Sequence, residues 1–196
     1  LNEVAQVHFC DVTAAGERWP VFGWTIAGAD GTILVDTGMV DSTPELDAEW
    51  GPVLRDWHVP DVVAVVNTHL HFDHCGGNRR YAGVPTYVQS AELAAAVAPA
   101  YLEEWVRFDG ASYVELDGDA ELFPGVSVLF TPGHSVGHQA VVVETGEGLV
   151  VLGGDVTYFM RELVDGATES IRRIHALRPH AVYLAHREQP WVPEYA

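Results

Sequence analysis

Residues 69–78 read HLHFDHCGGN. Three histidines and one aspartate fall within six positions, as His69, His71, Asp73 and His74. His69 and His71 are two apart, so in an extended segment they share a face. Asp73 and His74 follow in what Gly76-Gly77 marks as a turn into a short helix. Imidazole nitrogen combined with carboxylate oxygen suits zinc, iron, manganese or cobalt. An isolated His-X-His is most often a polar loop at a strand end. Four donors in six residues point to a metal site that needs further ligands from elsewhere in the chain.

The elements before this cluster and others like it supply them. Asp61 to Asn67 is an apolar, β-branched run, expected as a buried strand that ends at the histidines. The strand expected at 126–130 leads to TPGHSVGH and His134. The one at 149–152 leads to GGD and Asp155, and the one at 181–185 leads to His186. Alone, each donor reads as a solvated loop residue. Four strands that each end in a donor read as one site, because a sheet fixes the loops at its ends.

The remaining pattern predicts strands at 4–10, 21–27, 32–36, 86–89, 114–116 and 139–144. A hairpin turn is expected at Ala29-Asp30-Gly31. Helices are expected at 44–57, 90–98, 99–107 and 167–177. Ser42 or Thr43 caps the first, Pro44 opens it, and Gly51-Pro52 can break it. Two runs of strands, each with helices attached, suggest an α/β fold of two packed sheets with helices outside, a four-layer αββα sandwich.

The chain has 196 residues and a formal net charge of −18. Nucleic acid is excluded as a partner, since phosphate binding needs a basic footprint. Strongly anionic substrates are disfavoured unless cations offset the field locally. Two cysteines, Cys10 and Cys75, make no disulfide framework. No apolar run reaches the roughly 18 residues of a membrane span. The composition suggests a cytoplasmic protein. The chain begins at Leu1, so the native start and any targeting segment can lie outside this sequence.

HLHFDH, His134 in TPGHSVGHQ, Asp155 in GGD and His186 near the end together resemble the metallo-β-lactamase superfamily. The pattern covers nearly the whole chain and implies a single αββα hydrolase domain over 1–196. The resemblance implies two divalent metal ions, zinc first, with iron, manganese or cobalt as alternatives. His69, His71 and His134 would hold one ion. Asp73, His74 and His186 would hold the second, with Asp155 and a water or hydroxide bridging both. Asp155 argues against the β-lactamases proper, which generally have Cys or Ser there. HLHFDHCGGN, ILVDTGM, TPGHSVGHQ and Tyr158 resemble the N-acyl-homoserine lactone hydrolases most closely. Cys75 departs from the Ala usual there, and Ala185 from a frequent Gly. The segment from Asp155 to His186 is short for that family, as if a loop near Met160-Arg161 were trimmed or missing.

The resemblance implies a small-molecule lactone or ester substrate, attacked by the bridging hydroxide. Tyr158 would donate to the developing oxyanion, and Asp73 would relay a proton to the leaving alkoxide. Asp36 is expected to orient a ligating histidine, and His138 either orients a ligand or is a loop residue. His8, His58, His175 and His180 are expected at the surface or an edge, and Cys75 as a packed residue. Trp19, Phe22, Trp24 and Met39 line an acyl pocket or belong to the core. Two alternatives stand beside the lactonase: a glyoxalase II-like thioesterase or other ester hydrolase, and a non-hydrolytic iron protein. The assembly state is open, a homodimer among the options.

Overall fold

The computed structural model describes residues 1–28 and 31–195. The turn expected at Ala29 and Asp30 lies outside the described residues. Among the described residues, twelve strands form two sheets. In the first half are β1 (Glu3–Ala14), β2 (Glu17–Gly28), β3 (Gly31–Val35), β4 (Val53–Leu54), β5 (Val62–Val66), β6 (Thr86–Gln89) and β7 (Tyr113–Leu116). They make a seven-stranded sheet in the order β4-β1-β2-β3-β5-β6-β7. The second half supplies β8 (Ala120–Phe123), β9 (Val126–Phe130), β10 (Gln139–Thr145), β11 (Gly148–Leu152) and β12 (Ala181–Tyr183). These form a five-stranded sheet ordered β12-β11-β10-β9-β8. β3, β5, β6 and β7 run parallel, as do β11 and β12, while the other pairs are antiparallel.

Strand periodicity explains the layering. Ile33 and Val35 of β3 face the second sheet, while Leu34 between them faces the opposite layer. In β10, Val141 and Val143 face the first sheet, while Ala140 and Val142 face outward onto helices. The period of two thus gives each central strand two buried faces. Between the sheets pack Trp24, Ile26, Val66, Val128 and Leu152, each fully or almost fully buried. Burying one such aliphatic side chain contributes about 1.5–3 kcal/mol. Outside the first sheet lie α1 (Pro44–Glu49), α2 (Phe72–Cys75), α3 (Ser90–Ala95) and α4 (Glu103–Val106). Outside the second lie α5 (Met160–Asp165) and α6 (Glu169–Ala176), through Leu163, Ile171 and Ile174. This is the expected four-layer αββα sandwich.

Several boundaries differ from expectation. The helix expected over 44–57 stops at Glu49. Thr43 caps its start, its hydroxyl accepting from Leu46 N at 3.3 Å. Gly51 then takes φ +47°, which ends the helix, and Pro52 cannot rejoin it. The chain instead forms β4, which pairs with β1. Helices 90–98 and 99–107 shorten to α3 and α4, and Pro99 separates them. β1 and β2 run longer than expected, as one hairpin from Glu3↔Ala27 to Ala14↔Glu17. β8 was not anticipated, and residues 160–165 form α5. No helix of the described residues is long and apolar enough to cross a membrane.

Candidate metal centre

The loops after β3, β5, β9, β11 and β12 converge at one end of the sandwich, and they bring all seven expected donors together. Nε2 of His69, Nδ1 of His71 and Nε2 of His134 form a triangle with sides of 3.0, 3.1 and 2.9 Å. Such spacing suits three nitrogens each about 2.0–2.1 Å from one shared zinc-sized ion. Asp73, His74 and His186 form a second group. Asp73 Oδ2 lies 3.6 Å from His74 Nε2 and 3.8 Å from His186 Nε2.

Asp155 lies between the groups. Its Oδ2 is 3.5 Å from His134 Nε2 and 3.3 Å from His186 Nε2, and its Oδ1 is 3.5 Å from His74 Nε2. His74 Nε2 and Asp155 Oδ1 are buried and have no hydrogen-bond partner among the described residues. Leaving two such groups unpaired costs several kcal/mol, roughly 1–3 for each. A cation between them satisfies both, so the donor set fits a divalent metal.

The outward nitrogens are held as metal-ligating imidazoles usually are. His186 Nδ1 donates to Pro20 O at 2.8 Å. His74 Nδ1 donates to Asp36 Oδ2 at 2.9 Å. His69 Nδ1 meets Thr68 Oγ1 at 3.1 Å, and that hydroxyl donates to Asp36 Oδ2 at 2.8 Å. Asp36 Oδ1 also accepts from Thr68 N at 2.7 Å. One carboxylate therefore fixes a histidine from each group, as expected for Asp36. His138 resolves as an orienting residue. Its Nε2 accepts the backbone N–H of Asp155 at 3.1 Å while Nδ1 lies 3.1 Å from Thr131 O. Gly154 makes the close turn into Asp155 at φ +53°, where a Cβ would lie 2.8 Å from Thr68 Cβ.

Charge follows burial. Burial holds His69 well below the usual histidine range, lowers His71, and pushes His134 down to about 4 and His138 to about 3. These rings are neutral near pH 7, the form that ligates metal. For His74 and His186 burial pushes downward too, but Asp155 and Asp73 lift both above the usual value. Burial raises Asp155, yet His186 and His74 hold it well below the normal carboxylate range. Positive charge is thus favoured beside Asp73 and Asp155, and disfavoured at the other histidines.

Tyr158 borders the centre, its hydroxyl 3.1 Å from His134 Nδ1. When His134 presents Nε2 to a metal, Nδ1 carries the proton and the tyrosine oxygen accepts it. The O–H is then free to donate elsewhere. Burial raises its pKa, so it stays protonated. A cavity of about 890 Å³ opens beside it, with His71, Asp73, Asp155 and His186 among its lining. Its apolar wall includes Val12, Trp19, Leu46, Trp50, Phe72 and Leu102. Of the four residues considered for an acyl pocket, only Trp19 lines this cavity. Trp24 and Met39 are core, and Phe22 packs on His8 with ring centroids 4.7 Å apart. Cys75 is buried, donating to Leu70 O at 3.3 Å, and joins neither donor group. His58 and His180 are exposed. Sequence reasoning missed Thr68, Glu92 and Trp50. Thr68 stands one residue before the first donor, and only a fold shows where its hydroxyl points.

The family model described as the metallo-beta-lactamase superfamily matches residues 16–189. The chain belongs to that superfamily. It is a metal-dependent hydrolase of the αββα class. Among curated relatives it is 35% identical to an N-acyl homoserine lactonase of Bacillus cereus, covering 74% of this chain and 67% of that one. It is 34% identical to a Bacillus thuringiensis enzyme of the same name, with the same coverage. Among solved structures it resembles an N-acyl homoserine lactone hydrolase with N-hexanoyl-L-homoserine bound at its catalytic metal centre. The TM-score is 0.80 at 27% identity, over 94% of this chain and 92% of that one. A metallo-beta-lactamase-like protein of Thermotoga maritima shares the fold, with TM-score 0.73 at 19% identity over 98% and 99% of the two chains.

Proposed function

We propose that the chain is a dinuclear metal-dependent lactonase, one hydrolase domain that opens the ring of N-acyl-homoserine lactones or related lactones. The observation that carries this reading is the position of Asp155, one buried carboxylate within 3.5 Å of donors from both groups. His69, His71 and His134 would hold one cation and Asp73, His74 and His186 the other, with Asp155 in reach of both groups. Zinc suits this nitrogen and oxygen set best, with iron, manganese and cobalt as alternatives. When bound, divalent cations there would supply Lewis acidity and lower the pKa of a water toward neutrality.

The chain's own groups do the rest. The Tyr158 hydroxyl donates to the carbonyl oxygen as negative charge develops there. Asp73 faces the cavity and carries a proton to the ring oxygen as the C–O bond breaks. Water adds across the ester, and the product is a hydroxy acid that keeps both fragments in one molecule. The apolar wall takes the acyl tail and excludes water from it.

Charge at the cavity supports this reading over a glutathione thioesterase. Glu45, Glu49 and Glu104 line it, and no arginine or lysine does among the described residues. A glutathione thioester brings two carboxylates into that field, whereas an acyl lactone brings none. Hydrolysis of homoserine lactones with short, medium and long acyl chains, compared with S-lactoylglutathione, tests the assignment. Higher kcat/KM on the lactones is expected. Preference for the thioester would replace the lactonase with the glyoxalase II-like alternative.

A further inference from the structure

Glu92 is a fully buried carboxylate on α3, outside both donor groups. Both of its oxygens are saturated. Oε1 accepts from Leu70 N at 3.0 Å and from the Tyr101 hydroxyl at 3.0 Å. Oε2 accepts from Ser135 Oγ at 2.7 Å and from Gly137 N at 2.9 Å. These partners are not scattered. Leu70 stands between His69 and His71, and Ser135 directly follows His134. The ring of Tyr101 packs on that of His71 with centroids 5.1 Å apart.

A buried carboxylate is costly unless paired or fully hydrogen-bonded. Here its cost is offset by four bonds, one from Leu70, two from the loop of Ser135 and Gly137, and one from Tyr101 beyond the end of α3. We propose that Glu92 is a positioning residue that sets the His69–His71–His134 triangle, gripping the backbone of the loops that carry it. Asp36 acts on the His74 ring directly and on that of His69 through the Thr68 hydroxyl. Glu92 acts one step further back, on the main chain between and beside the ligands. The inference rests on the reading of those three histidines as a metal site.

The test is Zn²⁺ affinity, measured on the whole chain by competition with a chromophoric chelator. Glu92→Gln keeps the volume but turns one oxygen into a donor facing donors. The expected result is loss of about 10–100-fold in affinity for one of the two ions, the other staying at its wild-type value. A merely structural role would lower the melting temperature of the metal-free protein and leave both affinities alone, so that pattern overturns the proposal. If Glu92→Gln does not fold, the pair Tyr101→Phe with Ser135→Ala removes one bond from each oxygen. Several-fold weaker binding of one ion is then expected, and unchanged affinity is contrary. His71→Ala separates the two levels of the argument. If it retains both ions at full affinity, the metal-site reading itself fails. If it loses one while Glu92→Gln loses none, only the role of Glu92 fails.

Discussion

Asp36 accepts the Nδ1 proton of His74 at 2.9 Å from a backbone held at φ +59°, a conformation in which L-residues other than Asn and Asp are rare. The three hydrogen bonds to its carboxylate, from His74 and from Thr68 N and Oγ1, hold the strained position in place. Asp36→Asn tests what the charge contributes, because asparagine tolerates the same backbone. One amide hydrogen must then face a donor. Metal affinity should fall by about 10–100-fold, with secondary structure retained by circular dichroism. Wild-type affinity would detach Asp36 from the centre.

Tyr158 offers a cleaner separation of chemistry from binding. Its hydroxyl touches His134 from outside the donor triangle. Tyr158→Phe should slow lactone turnover by about 10²–10³-fold, the usual effect of losing one oxyanion donor, while metal content stays the same. An unchanged kcat/KM would remove the tyrosine from the mechanism.

Gly154 sets the turn that delivers Asp155. Alanine there carries the cost of a positive φ, about 1–2 kcal/mol, before its contact with Thr68 is counted. For a chain of this size, Tm should drop by roughly 2–8 °C in scanning calorimetry of the metal-free protein. A melting curve that overlays the parent would show that the turn is not strained as described.

Trp50 packs on Phe72 at 5.4 Å between centroids and forms part of the cavity wall. Its replacement by alanine should raise KM more for long acyl chains than for short ones. Each methylene that loses its contact costs about 0.8 kcal/mol, near fourfold in affinity. An equal rise across chain lengths would place the tail elsewhere.

The seven donors were legible in sequence because each follows an apolar strand, and sheets fix the loops at their ends. Layering was legible from the period of two in runs such as Ile33-Leu34-Val35. Glu92 was not legible. A glutamate in the first turn of a helix has an ordinary explanation in the helix dipole, and its partners Leu70, Tyr101, Ser135 and Gly137 meet only in the fold. Trp19 and Trp24 look alike as sequence. An odd separation along β2 places one on the cavity and the other between the sheets. The helix after Pro44 was overextended because its apolar pattern continues past Gly51, where the backbone turns instead.

Lactone opening by this chain should depend on cations held by these residues. Ring opening yields a carboxylic acid that is fully ionised at neutral pH, so proton release in a pH-stat reports it directly. Chelated protein should release no protons above background from an acyl-homoserine lactone, and reloading to two zinc ions per chain should restore the rate. A fully metallated protein that opens no lactone, or a stripped one that works as fast as the loaded form, would contradict the account.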